Sequence, residues 1–326
     1  MMSSIIFMGT PDFSVVVLKG LLAAGYDIKA VVTQPDKPVG RKHKLTASPV
    51  KAFASEAGLE VLQPAKISGS PEAARIQALQ PDFIITAAFG QFLPMSVLKA
   101  AKIAAVNVHG SLLPKYRGGA PIQMAIMNGE KETGITIMYM AKKMDAGDML
   151  AQAAIPIEAT DTSGTVFEKL SQVGSKLLLE TLPKIAAGTI TPTAQDPDKV
   201  TVAYNLTPEQ EVLDFTHTAS QLDRQIRALN PDPGAYTYFE GQRLKVWLAK
   251  VVAVPNDGAL PGTVLVKSKK ELIISTGSAS ESLALLELQP AGKAKMPIAA
   301  FLNGLGQQLT VGTPFIQKIP GGGAHR

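Results

Sequence analysis

Residues 83–88, Phe-Ile-Ile-Thr-Ala-Ala, make an almost unbroken apolar run opened by Pro81-Asp82 and closed by Phe89-Gly90. A short run of this kind suits a strand buried on both faces, in the middle of a parallel sheet. The flanking chain has a matching rhythm. Residues 4–8 read as an apolar strand, Gly9-Thr10-Pro11-Asp12-Phe13 as a turn, and the chain through Leu22 as a helix. Residues 27–32 and 61–62 read as further strands. Residues 49–57, capped by Ser48 and stopped by Gly58, and residues 71–79 read as helices. Strands over 133–140 and 149–156 follow, and from Asp161 a helix carries Val166, Leu170, Val173, Leu177 and Leu178 along one stripe. This alternation predicts the α/β class, with a Rossmann-like, doubly wound, mostly parallel sheet. The first turn holds Gly9 alone and no G-x-G-x-x-G, which weakens a dinucleotide-binding reading.

Side chains that can do chemistry gather where an apolar run, residues 103–106, ends in Asn107-Val108-His109-Gly110. Alternation along a strand puts Asn107 and His109 on the same face. The turn Ser111-Leu112-Leu113-Pro114, the Gly118-Gly119 loop and a short helix begun by Pro121 come next, then the strand over 133–140 and the carboxylate loop Asp145-Ala146-Gly147-Asp148. An amide, an imidazole and a carboxylate at neighbouring strand ends can handle a carbonyl under nucleophilic attack. Asn donates to a developing oxyanion, and His donates or exchanges protons near neutral pH. Asp orients and charges the His, or relays a proton through water. Taken alone, Asn-x-His at a strand end is more often a structural hydrogen-bonded pair, and Asp-Ala-Gly-Asp an ordinary polar turn.

Beyond this region the punctuation changes. Residues 187–204, with Gly188, Pro192 and Pro197, read as a linker, and residues 208–229 as a helix with Leu222, Ile226 and Leu229 on its apolar face. Short strands at 235–239, 243–254, 262–267, 271–275 and 282–288 then follow, separated by turn residues, with a closing helix over 293–302. That spacing predicts a small antiparallel β-barrel of OB-like type. The expected division is a catalytic domain at 1–188, a linker at 189–206, the barrel domain at 207–318 and a disordered tail at 319–326.

Composition bounds the function classes. Hydrophobic residues make up 46% and charged residues 18% of the chain, as in a globular protein. No apolar run approaches the roughly 18 residues of a membrane helix, and the start lacks the basic region of a signal peptide. With no cysteine there is no thiolate chemistry, and a cytoplasmic enzyme is the simplest account. The four histidines are scattered, which argues against a His-rich metal site. Net charge is +5, compatible with a nucleic-acid or phosphate-bearing partner. The loop at 33–45 concentrates Lys37, Arg41, Lys42 and Lys44 against the single acid Asp36. Alone it reads as a solvated surface loop more readily than as a basic finger for a phosphate backbone.

Asn107-x-His109, Ser111-Leu-Leu-Pro114, Gly118, Ala120-Pro-Ile122, Thr133-Gly-Ile-Thr-Ile-Met138 and Asp145-x-Gly-Asp148 together resemble the folate-dependent formyltransferases. Gly9-Thr-Pro-Asp-Phe13 matches that family's opening motif, and Lys245-Val-Trp247 and Leu288-Gln-Pro-Ala-Gly292 extend the likeness toward the C-terminus. The resemblance implies Asn107, His109 and Asp145 as catalytic residues. It implies a folate pocket lined by Phe89, Gly90 and Gln91 with Ser111, Leu112, Leu113 and Pro114, for 10-formyltetrahydrofolate as formyl donor. Within the family the chain most resembles the members that act on initiator methionyl-tRNA. They carry an inserted loop used on the tRNA acceptor arm, so that Arg41, with Lys37, Lys42 and Lys44, becomes the expected tRNA contact. Neither a metal, a membrane nor an obligate protein partner is expected. Sugar-nucleotide or other amine formyltransferases and a formyltetrahydrofolate hydrolase are the alternatives within the family, and a non-catalytic RNA-binding protein is the alternative outside it. Departures fall at Asn205 in the expected linker and at Phe215 and Asp232 in the second domain.

Overall fold

The computed structural model describes residues 3–39 and 44–315. Within it β1 (Ser4–Gly9), α1 (Asp12–Ala23) and β2 (Asp27–Val32) open the chain, followed by the hairpin β3 (Lys37–Val39) and β4 (Lys44–Thr46). Then come α2 (Pro49–Glu56), β5 (Val61–Leu62), α3 (Pro71–Leu79), β6 (Phe83–Ala87), α4 (Met95–Leu98), β7 (Ala104–His109) and β8 (Arg117–Gly118). The first half closes with α5 (Pro121–Asn128), β9 (Glu132–Tyr139), β10 (Met149–Pro156), α6 (Ser163–Ala186) and β11 (Val202–Ala203).

Seven of these strands form one sheet in the order β10-β9-β7-β6-β1-β2-β5. The stretch β7-β6-β1-β2-β5 is parallel, β9 pairs antiparallel with β7, and β10 pairs antiparallel with β9. The chain winds outward from β1 through β2 to β5, then returns to β6 on the other side of β1. That reversal is the switch point of a doubly wound fold, and ligands of such sheets bind at the carboxyl ends of the strands. Every residue of β6 is buried, as its apolar sequence predicts. On one face Ile6, Met8, Ala30, Val32 and Ile84 pack with Ile76 of α3 and Val97 of α4. Toward the other, α6 comes so close that a Cβ at Gly174 would lie 2.9 Å from Val108 Cγ1, so only glycine fits there.

Two compact units make up the described chain. One takes in the residues up to Ile122 with Glu132–Pro156 and Val166–Asn205; the other holds Gln123–Lys131, Ile157–Thr165 and the chain from Leu206 on. Residues 189–205, the expected linker, thus group with the first unit, where β11 pairs in parallel with β8.

In the second unit α7 (Ala219–Ala228) leads to β12 (Tyr236–Phe239), β13 (Gln242–Val252), β14 (Val264–Lys267), β15 (Leu272–Ile274), β16 (Ser282–Pro290), β17 (Met296–Pro297) and α8 (Ile298–Leu302). The expected small antiparallel β domain is a sheet in the order β12-β13-β16-β15-β14, with β17 on β16. It encloses one core that includes Phe215, Leu222, Ile226, Leu244, Leu285 and Phe301. The long helix expected over 208–229 is instead a 3₁₀ turn, Pro208–Glu211, and α7. Competing hydrogen bonds, one of them long-range, break it. Leu213 donates its N–H to the Tyr236 carbonyl, and the Asp214 carboxylate takes the N–H and hydroxyl of Thr216. Thr218 and Gln221 then form a capping box that starts α7. No helix among the described residues is long and apolar enough to cross a membrane.

Candidate active site

Strand alternation on β7 delivers Asn107 and His109 to one side, and the register fixes their neighbours: Asn107 lies between Thr86 of β6 and Met138 of β9, and His109 faces Thr136. Thr86 donates its hydroxyl to Asn107 Oδ1 at 2.8 Å. The carbonyl end of the amide is thereby occupied, leaving Nδ2 as the outward donor, 3.5 Å from Asp145 Oδ1. His109 is buried. Its Nε2 sits 3.0 Å from the Tyr116 carbonyl, an acceptor only, so Nε2 carries a proton. The other ring nitrogen, Nδ1, lies 3.7 Å from Asp145 Oδ2. That carboxylate oxygen also accepts the Gly118 N–H at 2.9 Å.

Asp145 adopts φ 47°, the left-handed region uncommon for a residue with a side chain. Such a conformation persists where surrounding bonds over-determine it. Here Gln195 Nε2 donates to the Asp145 and Gly147 carbonyls at 2.9 and 2.7 Å, and its Oε1 accepts from Arg117 Nε and Nη2. Gly147 tolerates no side chain, since a Cβ there would collide with the Tyr139 carbonyl.

The turn after β7 is fixed by Thr136. Its hydroxyl donates to the Ser111 carbonyl and accepts from the Leu113 N–H and Gln152 Nε2, while Gln152 also reaches the Leu113 carbonyl. Ser111 bonds the Lys115 carbonyl; Ser111 and Leu113 are buried, and Leu112 and Pro114 are half-buried. At the carboxyl end of β6 the Phe89 ring belongs to the core, and its carbonyl accepts from Thr10 Oγ1 and Gln34 Nε2. Gln91 spends its amide on the Ile67 N–H and the Pro64 carbonyl. What that turn presents outward is Gly90 and Phe92, the latter 58% exposed. Lys37 and Lys44 are exposed on the β3–β4 hairpin; Arg41 and Lys42 lie outside the described residues. At the hairpin base Lys51 and Gln63 hold Asp36, and those bonds keep its carboxyl below the usual range.

Asn107, His109 and Asp145 stand in recognisable motifs, whereas of the residues that orient them and their turns only Thr136 does; Thr86, Gln152, Gln195 and Arg117 stand in none. Thr86 alone left a local trace, as the lone polar residue within the β6 run. A cleft of about 350 Å³ lined by Gln77, Gln80, Ser96, Lys99 and Lys102 opens near the amino ends of β6 and β7, away from these groups. Among the described residues no cluster of three or more His, Cys, Asp or Glu could hold a metal.

The family model for the formyl transferase domain matches residues 2–182, and that for the formyl transferase C-terminal domain matches residues 205–306. A methionyl-tRNA formyltransferase of Latilactobacillus sakei is 59% identical over 95% of this chain and 97% of its own length. That of Lactobacillus gasseri is 57% identical over 97% of this chain and all of its own length. The chain belongs to the methionyl-tRNA formyltransferase family. Solved structures share the fold at lower identity. An N-formyltransferase of Helicobacter canadensis, in complex with folinic acid and dTDP-3-aminofucose, superposes at TM-score 0.66 with 18% identity, over 87% of this chain and 99% of that one. HypX of Aquifex aeolicus in complex with tetrahydrofolic acid gives 0.65 at 18% identity, over 94% of this chain and 48% of that one. This family of formyl-transferring enzymes uses formyl-tetrahydrofolate.

Proposed function

We propose that this chain moves the formyl group of 10-formyltetrahydrofolate to the α-amino group of initiator methionyl-tRNA. One observation carries the chemistry. The Asp145 carboxylate is set between the Gly118 N–H, Asn107 Nδ2 and His109 Nδ1, while the other imidazole nitrogen is tied to a carbonyl. The folate supplies an activated formyl carbon. As the amine nitrogen bonds to that carbon, negative charge grows on the formyl oxygen, and Asn107 Nδ2 and protonated His109 Nδ1 are the donors for it. Collapse breaks the bond to the folate nitrogen. The proton lost by the amine ends on that nitrogen, and Asp145, facing His109, takes part in the transfer through water. Atoms balance with neither an acyl-enzyme nor an added oxidant. Proximity of the two reactants supplies much of the rate, on the order of 7–11 kcal/mol in favourable cases.

The Ser111–Pro114 turn, stiffened by Thr136 and Gln152, and the Gly90 side of the 89–91 turn are the proposed folate contacts. Exposed Lys37 and Lys44 support a phosphate-facing hairpin with Arg41 and Lys42 between them in sequence. The deciding assay offers 10-formyltetrahydrofolate together with charged initiator tRNA, an amino sugar nucleotide, or buffer alone. Formyl-methionyl-tRNA is the expected product. A formylated sugar, or formate released with every acceptor, would overturn the reading.

A further inference from the structure

Asp145 is gripped at two points that meet in one side chain. Its carboxylate takes the Gly118 N–H, and its main-chain carbonyl takes Gln195 Nε2. Gly118 follows Arg117, whose guanidinium donates twice to Gln195 Oε1 at 2.9 and 2.8 Å. The second Nε2 hydrogen goes to the Gly147 carbonyl at 2.7 Å. An amide has two donor hydrogens and two acceptor lone pairs, and Gln195 uses all four. The segment that brings it there is anchored beside the site: Arg117 donates its N–H to the Thr201 carbonyl, Tyr116 to Thr201 Oγ1, and β11 pairs with β8. Tyr116 is also the residue whose carbonyl holds His109 Nε2. One stretch, residues 195–203, thus braces both the carboxylate and the imidazole of the central pair.

We infer that Gln195, seated on Arg117, is a positioning residue for formyl transfer: it holds Asp145 in its left-handed conformation so that Oδ2 faces His109 Nδ1. The inference rests on the function proposed above. Its physical content is that Gln195 acts through Asp145, whose φ of 47° needs outside bonds to persist. Without the amide, the 145–147 loop relaxes and the carboxylate drifts from the imidazole. Misplacement of about 1 Å in a reacting group can cost about 100-fold in rate.

The test is a double-mutant cycle on the full chain, with kcat and KM for methionyl-tRNA and the folate determined separately. Gln195→Ala should lower kcat roughly 10- to 100-fold, with KM for the folate little changed. Gln195→Glu keeps acceptors for Arg117 but removes both donors to the loop carbonyls, so it should be as slow even though its ion pair to Arg117 preserves the fold. Because Gln195 acts through Asp145, adding Gln195→Ala to Asp145→Asn should cost little further. Amide hydrogen exchange over residues 144–148 should quicken in both Gln195 variants while the β6 and β7 amides stay protected. Additive losses in the cycle, or wild-type kcat in both Gln195 variants, would overturn the positioning role. A wild-type chain that formylates no methionyl-tRNA would instead overturn the functional reading, and the two failures are thereby told apart.

Discussion

At the residue scale, Asn107 and His109 each have one polar atom committed to a neighbour and one left over. Thr86 takes the Asn107 carbonyl, leaving its amino end; Tyr116 takes His109 Nε2, leaving Nδ1. Asn107→Ala should therefore remove one oxyanion donor and slow turnover by about 10²–10³. His109→Ala and Asp145→Asn should also lower kcat, with folate affinity nearly intact, because their contacts strengthen as charge develops. Single-turnover rates with saturating folate check all three, and wild-type chemistry in any variant would remove that residue from the mechanism. Gly147→Ala tests the loop without removing a polar side chain. Its methyl group collides with the Tyr139 carbonyl, so destabilisation of about 1–3 kcal/mol is expected by denaturant titration.

At the element scale, the β3–β4 hairpin and the capped helix α7 can be probed separately. Lys44 and Lys37 sit on paired, exposed strands whose base is held by Lys51–Asp36. Replacing either with Ala should weaken tRNA use across salt concentrations. Each lost phosphate contact should flatten the log–log salt slope by up to about one unit, with folate binding unchanged. Arg41→Ala should in addition blunt the preference for initiator over elongator tRNA, since guanidinium can hydrogen-bond or stack where an ammonium does so poorly. Unchanged kinetics in every variant would make the hairpin ordinary solvated surface. For α7, Thr218→Ala removes the cap from the Gln221 N–H and should cost about 1 kcal/mol in thermal unfolding.

At the scale of the whole molecule, carboxylates that fasten loops and strand ends set the acid limit of stability. The Ser4 N–H and hydroxyl hold the Asp82 carboxyl below its usual range, the Thr216 hydroxyl and N–H do so for Asp214, Lys51 and Gln63 for Asp36, and Arg75 for Glu60. A carboxyl with a depressed folded-state pKa contributes stability above its unfolded value, about 3.9 for Asp and 4.3 for Glu, and loses it as pH falls through the folded value. Thermal midpoints should hold from neutrality to about pH 5 and fall below about pH 4. Asp82→Asn should soften that fall, because the group no longer titrates. An acid limb identical to wild type would show that this link to β1 contributes nothing.

The sequence by itself determined what depends on neighbours along the chain. A period of two placed Asn107 and His109 on one face of β7, and the unbroken run at 83–88 required a strand buried on both sides. Ser48 and Ser70 cap α2 and α3 by bonding N–H groups three residues on, a purely local event. Formyltransferase motifs then supplied Asp145 as the third member. Only the tertiary structure decided which nitrogen of His109 is tied to a carbonyl, because Tyr116 reaches it through a turn. Only the fold brought Gln195 to Asp145, 50 positions away, and to Arg117, 78 away. It likewise sent Phe89 into the core and delayed the start of the helix expected over 208–229 to Ala219, by offering Leu213 a partner on β12. Periodicity and capping are written in adjacent residues. A hydrogen bond across such separations exists only once the sheet order has closed the loops between its partners.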